Sequence, residues 1–160
     1  MQILLSLPQN LLSTYKDICR PSQQSYYINS DPQGHHLGSG GGTAWVLSQY
    51  SKNHNFSEKK ILIHAGGQGR RLPSHSASGK ICTPIPVYRW KCGQKLDQTL
   101  LDIQTDFYQS VIARSNSNQN LLIASGDVLL RSKSLPYQLP NADVVILTTW
   151  IDSSVATRHG

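Results

Sequence analysis

Cysteine is scarce in this chain of 160 residues, which has only Cys19, Cys82 and Cys92. The odd number and wide spacing argue against a disulfide framework, so we expect reduced thiols. Cys82 and Cys92 are too far apart for a zinc knuckle, and the adjacent pair His35 and His36 has poor ligand geometry on a regular element. A structural metal site is therefore not expected.

Long apolar runs are also missing. No stretch of the sequence is apolar enough to span a bilayer, and the N-terminus lacks the basic region and cleavage site of a signal peptide. We therefore expect a cytoplasmic protein that has no membrane partner. The length suits one ordinary domain.

Acidic residues are absent from positions 61–95, which carry six Lys and Arg side chains and hence a net charge of +6. Residues 1–60 have five bases and three acids, and residues 96–160 have four bases and six acids. A positive field concentrated in one segment attracts an anionic ligand. Nucleic acid is not the expected partner, because the bases do not line one helical face and no aromatic residues alternate with them.

Two short apolar runs, Ile61–Ala65 and Leu121–Ala124, flank a segment with helical spacing at residues 98–113. Asp97 is the expected N-cap of that helix. A further apolar run, Val144–Leu147, predicts another strand. A strand, a helix and a second continuously apolar strand are typical of a βαβ unit with parallel pairing. The sequence therefore predicts an α/β fold with a Rossmann-like, mostly parallel sheet.

The strand that ends at Ala65 leads directly into a loop that is rich in glycine and arginine, and a lysine follows. Glycines allow backbone N–H groups to approach phosphate oxygens closely, and arginine can donate to two of those oxygens at once. Lysine supplies a longer-reaching point charge. The candidate residues for binding a nucleotide's phosphates are Gly66, Gly67, Gly69, Arg71 and Lys80.

Asp127 follows the second predicted strand and could hold Mg²⁺ against a phosphate. Because the carboxyl ends of parallel strands meet at one edge of a sheet, we expect Asp127 to lie near the glycine loop. Taken alone, the glycines could form only a tight turn, and Asp127 could only cap one. The order of glycines, arginine and lysine favours the phosphate site.

A second glycine-rich stretch, Gly38–Thr43, precedes a segment with helical character. We interpret it as a flexible loop that opens a helix, with Thr43 at the N-cap. Gly40, Gly41 and Gly42 are candidate nucleotide contacts, and a flexible connector is the alternative.

Residues 66–72 and the segment from Lys80 to Val87 resemble the signature of sugar-phosphate nucleotidyltransferases, Gly-Gly-x-Gly-x-Arg-Leu followed by a lysine near prolines. Upstream, residues 30–43 and 64–68 are similar to the bacterial bifunctional fucokinase/fucose-1-phosphate guanylyltransferases. The C-terminal segment 150–160 is similar to the same family.

This resemblance implies transfer of GMP from GTP to L-fucose 1-phosphate with Mg²⁺, which gives GDP-L-fucose and pyrophosphate. It implies catalytic roles for Arg71 and Lys80, nucleotide contacts for the named glycines, and Asp127 as the metal ligand. Residues 1–60 would be an N-terminal extension of the same domain, and residues 61–160 the first part of an incomplete nucleotidyltransferase domain. The alternatives are another sugar-1-phosphate nucleotidyltransferase or a non-catalytic nucleotide-binding fragment.

Overall fold

A four-stranded parallel sheet forms the centre of the protein. The computed structural model describes residues 1–18, 26–66, 79–85, 98–136 and 138–157. The strands are β1 (Gln2–Ser6), β2 (Tyr26–Asn29), β3 (Lys60–His64) and β4 (Leu121–Ser125), in the order β2-β1-β3-β4. Every pairing is parallel. The predicted α/β fold with a Rossmann-like parallel sheet is confirmed.

The predicted N-terminal extension, residues 1–60, and the predicted nucleotidyltransferase segment, residues 61–160, both contribute strands to this sheet. Strands β1 and β2 precede residue 60, and β1 pairs with both β2 and β3. The boundary between residues 1–60 and 61–160 stays a prediction.

Helices cover both faces of the sheet. They are α1 (Leu12–Ile18), α2 (Gly38–Ser51), α3 (Leu100–Ile112) and the short α4 (Ser153–Ala156), with 3-10 turns at Gln9–Leu11 and Lys80–Cys82. One face of the sheet packs against α1 and α3 through Ile3, Leu5, Ile61, Ile63, Tyr15, Leu101 and Tyr108. The opposite face packs against α2 through Leu4, Leu62, Val46 and Tyr50. Burial on both sides explains why β1 and β3 are continuously apolar.

Helix α3 has almost the predicted extent, but its N-cap is Thr99 and not Asp97, which lies outside the described residues. The Thr99 hydroxyl accepts from the backbone N–H of Asp102, and the Asp102 carboxylate accepts from the backbone N–H of Thr99 at 2.8 Å. This reciprocal capping box satisfies two N–H groups at the helix start, which a lone aspartate two residues earlier would not do.

The glycine-rich stretch is helix and not loop, so that prediction was wrong. Helix α2 begins at Gly38 and its N-cap is Leu37, while Thr43 lies in the second turn and donates to the Ser39 carbonyl at 2.8 Å. The backbone N–H of Leu37 donates to the Asp31 carboxylate at 3.0 Å. A negative charge at the N-terminal end and the apolar packing of α2 compensate for the low helix propensity of glycine.

The predicted strand at Val144–Leu147 is absent, since this part of the chain is irregular. Val144 and Ile146 are 76% and 78% exposed. The carbonyls of Pro140 and Ala142, just before this run, accept hydrogen bonds from the Gln119 side chain at 2.8 Å each. An apolar run forms a strand only where a neighbour pairs with its backbone groups, and none does so within the part of the chain described.

The expectation of reduced thiols is wrong at Cys82, which is buried and disulfide-bonded. The other two cysteines, Cys19 and Cys92, lie outside the described residues. Spacing along the chain does not reveal which thiols the fold brings together.

Among the helices that the structure describes, none is both long and apolar enough to cross a bilayer.

Candidate functional site

A recess open to solvent lies beyond the carboxyl ends of β3 and β4. Three chain segments form it: the end of β3, the turn after β4, and the 3-10 turn that precedes α3. Its lining residues are Ala65, Gly66, Gly79, Lys80, Ile81, Gly126 and Asp127. Ligands of parallel α/β sheets bind at this edge, so the recess lies where the topology predicts a site.

Close backbone contact between the ends of β3 and β4 depends on Gly126. Its N–H donates to the His64 carbonyl at 2.7 Å. A Cβ atom at this position would lie 2.9 Å from the Ala65 Cα and 3.0 Å from the His64 carbonyl oxygen. Both neighbours are backbone atoms and cannot rotate away, so only glycine fits here.

We expect Gly126→Ala to lower the free energy of unfolding by about 1–3 kcal/mol, the usual cost of overpacking. Gly40→Ala is the matched control, because a Cβ there meets nothing within 4 Å. Alanine is also preferred to glycine in a helix by up to about 1 kcal/mol, so the control should be neutral or stabilising. Urea titration measures both variants, and equal stability of the two would contradict the close-contact argument.

Lys80 is placed by a glycine and by two core residues. Gly79 has φ of 74°, a conformation that other L-residues rarely adopt, and it begins the Lys80–Cys82 turn. Ile81 and Cys82 are buried in the same core cluster as Leu101 of α3, whereas Lys80 stays half-exposed. Burial of its neighbours therefore holds the lysine at the rim of the recess.

The structure brings two of the predicted site residues, Lys80 and Asp127, together. The Lys80 Nζ lies 3.2 Å from Asp127 Oδ2, and their side chains are 35% and 45% exposed. The Ser125 hydroxyl donates to the other carboxylate oxygen of Asp127 at 2.7 Å. This hydrogen bond, and then the Lys80 contacts, lower the pKa of Asp127 against a partial desolvation that raises it. Asp127 is therefore ionised at neutral pH.

Gly66 also lines the recess. The other predicted loop residues, Gly67, Gly69 and Arg71, lie outside the described residues, and their roles stay predictions.

Gly40, Gly41 and Gly42 do not line the recess; they lie in the first turns of α2. Their role in nucleotide binding stays a prediction, now for a helix instead of a loop. Gly42 is buried, and a Cβ there would lie 3.4 Å from Asp31 Oδ1 and 3.5 Å from His64 Cε1. These are ordinary van der Waals distances, so the first turns of α2 lie in contact with Asp31 and with His64 at the end of β3.

His64 connects α2 to the strand that leads into the recess. Its Nε2 lies 2.8 Å from the Thr43 hydroxyl, whose hydrogen is already donated to Ser39, so Nε2 carries the proton and donates. Burial lowers the pKa of His64, and the nearby charge of Asp31 only partly opposes this. The ring is therefore neutral at pH 7 and serves as a hydrogen-bonded structural group.

Sequence reasoning missed two groups that contact the Asp127 turn. Ser125 bonds Asp127 directly, and Gln104 of α3 donates to backbone carbonyls on both sides of that residue. A signal for Gln104 was present in the sequence. It occupies a buried position on the apolar stripe of α3, between Leu101 and Tyr108, where a polar side chain needs a partner.

The donor groups of the recess fit Mg²⁺ that binds together with a substrate. No cluster of three or more His, Cys, Asp or Glu residues that could hold a metal occurs in the described parts of the chain. Asp127 offers one ionised carboxylate. Mg²⁺ keeps several of its waters and is often bound through one or two carboxylates and substrate phosphates, so a single aspartate suits this mode.

Comparison with known proteins identifies the family. The fucose pyrophosphorylase domain model matches residues 53–160. The chain is 46% identical to the L-fucokinase/L-fucose-1-P guanylyltransferase of Bacteroides fragilis, over all of this chain and 18% of that protein. It is 33% and 30% identical to the fucose-1-phosphate guanylyltransferases of Mus musculus and Homo sapiens, each over 77% of this chain.

The chain spans 20% and 19% of those two mammalian proteins. No solved structure matches it. Since the family model covers two thirds of the sequence and includes both Lys80 and Asp127, the chain belongs to the fucose pyrophosphorylase domain family.

Proposed function

We propose that this chain is the nucleotide-binding part of an enzyme that transfers GMP from GTP to L-fucose 1-phosphate, giving GDP-L-fucose and pyrophosphate. The Lys80–Asp127 pair at the carboxyl ends of the sheet is the observation that carries the proposal. Family membership supports it, and so do the names of the three relatives.

In this reaction a phosphate oxygen of fucose 1-phosphate forms a bond to the α-phosphorus of GTP. The bond from that phosphorus to the bridging oxygen breaks, and pyrophosphate leaves with the electron pair. Catalysis of such a transfer requires positioning and charge stabilisation more than covalent chemistry by the protein. This requirement suits a site that contains one lysine, one aspartate and glycine backbone.

We assign Lys80 to the stabilisation of negative charge on a phosphate, because its ammonium lies at the rim of the recess. The Gly66 segment would approach the phosphates with its backbone, since it lines the same recess and follows a strand end. Arg71 would donate to two phosphate oxygens. Asp127 would hold Mg²⁺, which when bound neutralises phosphate charge.

The test is release of pyrophosphate from GTP by the protein as its gene encodes it. We expect release only when L-fucose 1-phosphate and Mg²⁺ are both present. Turnover with another nucleotide, or with another sugar 1-phosphate in place of fucose 1-phosphate, would assign a related transferase instead. GTP binding with no turnover of any sugar phosphate would assign a non-catalytic nucleotide-binding module.

We further propose that the protein acts in the cytoplasm, where GTP and sugar phosphates are available, without a nucleic-acid or membrane partner. The disulfide at Cys82 is the observation that opposes this location, because disulfides are rare in that compartment. Cell fractionation that recovers the protein with cytoplasmic enzymes would support the proposal, and recovery from an oxidising compartment would contradict it.

A further inference from the structure

Helix α3 holds the turn that carries Asp127. The Gln104 side chain is 1% exposed, and its Nε2 donates to the Gly126 carbonyl at 3.4 Å and also to the Val128 carbonyl. These two carbonyls flank Asp127 in the chain. One amide group therefore contacts the backbone immediately before and after the aspartate and leaves its carboxylate facing the recess.

Tyr108, one helical turn after Gln104, extends this contact. Its ring is 2% exposed, and its hydroxyl donates to the Ser125 carbonyl at 3.4 Å. Ser125 also donates its own hydroxyl to Asp127. Two donors on one face of α3 thus contact three carbonyls of the segment from Ser125 to Val128, a set of contacts that we call the α3 clamp.

The α3 clamp is built on a rigid support. The capping box at Thr99 and Asp102 secures the start of α3, and buried side chains along the stripe secure the rest. Gln104 therefore has little freedom to follow a moving turn. If the turn shifts, the amide donors lose their partners in a buried environment, which opposes the movement.

Burial of Gln104 also needs an explanation beyond packing. Its Oε1 is buried and has no hydrogen-bond partner within the described part of the chain. An apolar side chain of similar size would avoid that penalty. The glutamine is therefore better explained by what its Nε2 does for the turn than by a contribution to the core.

We propose that Gln104, supported by Tyr108, is a positioning residue that fixes the direction of the Asp127 carboxylate toward the phosphates and their metal ion. The catalytic consequence rests on the proposed function, but the clamp itself does not. A residue that orients a metal ligand in this way typically changes metal affinity or activity about 10- to 100-fold when it is replaced.

The first experiment measures hydrogen–deuterium exchange of the metal-free, intact protein. We expect Gln104→Met to speed exchange of the amides at residues 125–131 at least about tenfold relative to the rest of the sheet, the change expected from roughly 1.4 kcal/mol lost at the turn. Tyr108→Phe removes one hydroxyl and should speed exchange at the same residues to a smaller extent. If Gln104→Met does not fold, Tyr108→Phe tests the proposal in its place.

The matched control is Thr105→Val on the same helix. Thr105 is as buried as Gln104, and its hydroxyl has no partner among the described residues. The substitution is nearly isosteric, so we expect exchange at residues 125–131 to be unchanged. Exchange that rises equally throughout the protein in Gln104→Met and Tyr108→Phe, or does not rise at the turn, would overturn the proposal.

The second experiment measures pyrophosphate release against Mg²⁺ concentration. Gln104→Met should raise the Mg²⁺ concentration needed for half-maximal rate about tenfold, whereas Thr105→Val should not. An unchanged Mg²⁺ requirement in a folded Gln104→Met protein would remove the residue from the mechanism. Faster exchange at the turn in a protein that transfers no GMP in any form would instead keep the clamp and reject the proposed function.

Discussion

Lys80→Met is expected to lower the rate constant of GMP transfer about 100- to 1000-fold while leaving the fold intact. Loss of one preorganised charge or donor that faces the transition state usually has an effect of this size. The methionine keeps the length of the lysine stem. Lys80 is partly exposed, and Asp127 is the one contact of its ammonium among the groups that the structure describes, so the melting temperature should change little. Steady-state kinetics and a thermal melt measure the two quantities.

Lys52→Met is the matched control for this substitution. Lys52 caps the far end of α2 and its ammonium contacts only the Gln49 side chain among the groups described. The control removes the same net charge from a position outside the recess. Equal rates in the two variants would show that Lys80 acts only through the overall field of the protein, and would contradict a direct role.

Asp127→Asn is the second large expected effect. An amide cannot supply the negative charge that Mg²⁺ binding requires, so we expect about a 100-fold loss of rate at ordinary Mg²⁺ concentration, equivalent to roughly 2.7 kcal/mol. Part of the loss should be recovered at high Mg²⁺ concentration, when substrate phosphates alone bind the ion. Initial rates across a Mg²⁺ series measure both features.

Asp106→Asn provides the comparison, because Asp106 is an exposed carboxylate on α3 away from the recess. Its Mg²⁺ series should match that of the unmodified protein. The wild-type rate should also be insensitive to Asp127 protonation near neutral pH, because the Ser125 and Lys80 contacts lower the pKa of that carboxyl. A wild-type Mg²⁺ series in Asp127→Asn would exclude the aspartate as a metal ligand.

The central part of the fold and site could be predicted because its signals are local. The apolar runs of β3 and β4 and the helical spacing of α3 are contiguous in the sequence, and each appears in the structure. Parallel pairing then brings Lys80 and Asp127 within 3.2 Å, although 47 positions separate them in sequence. Once the topology places Lys80 and Asp127 at one edge of the sheet, their residue types predict a site for phosphate and metal binding.

The rest depends on contacts that sequence spacing does not show. Strand β2 contains two tyrosines and an asparagine, all half-buried at a sheet edge, so it has no strong apolar signal. The glycines of α2 suggest a loop, but the segment is helical, and Val46 and Tyr50 later in the same helix pack against Leu4 and Leu62. The apolar run at Val144–Leu147 has the opposite outcome, because its backbone finds no partner strand among the described residues.

The central claim is that the edge of the sheet between β3 and β4 binds a nucleotide's phosphates. Its most direct test is amide NMR of this 17.7 kDa chain during titration with GTP and Mg²⁺. We predict that the largest shifts occur at Ala65, Gly66, Gly79, Lys80, Gly126 and Asp127. Saturable shifts confined to the first turns of α2, or to any other surface, with these six amides unchanged, would contradict the claim.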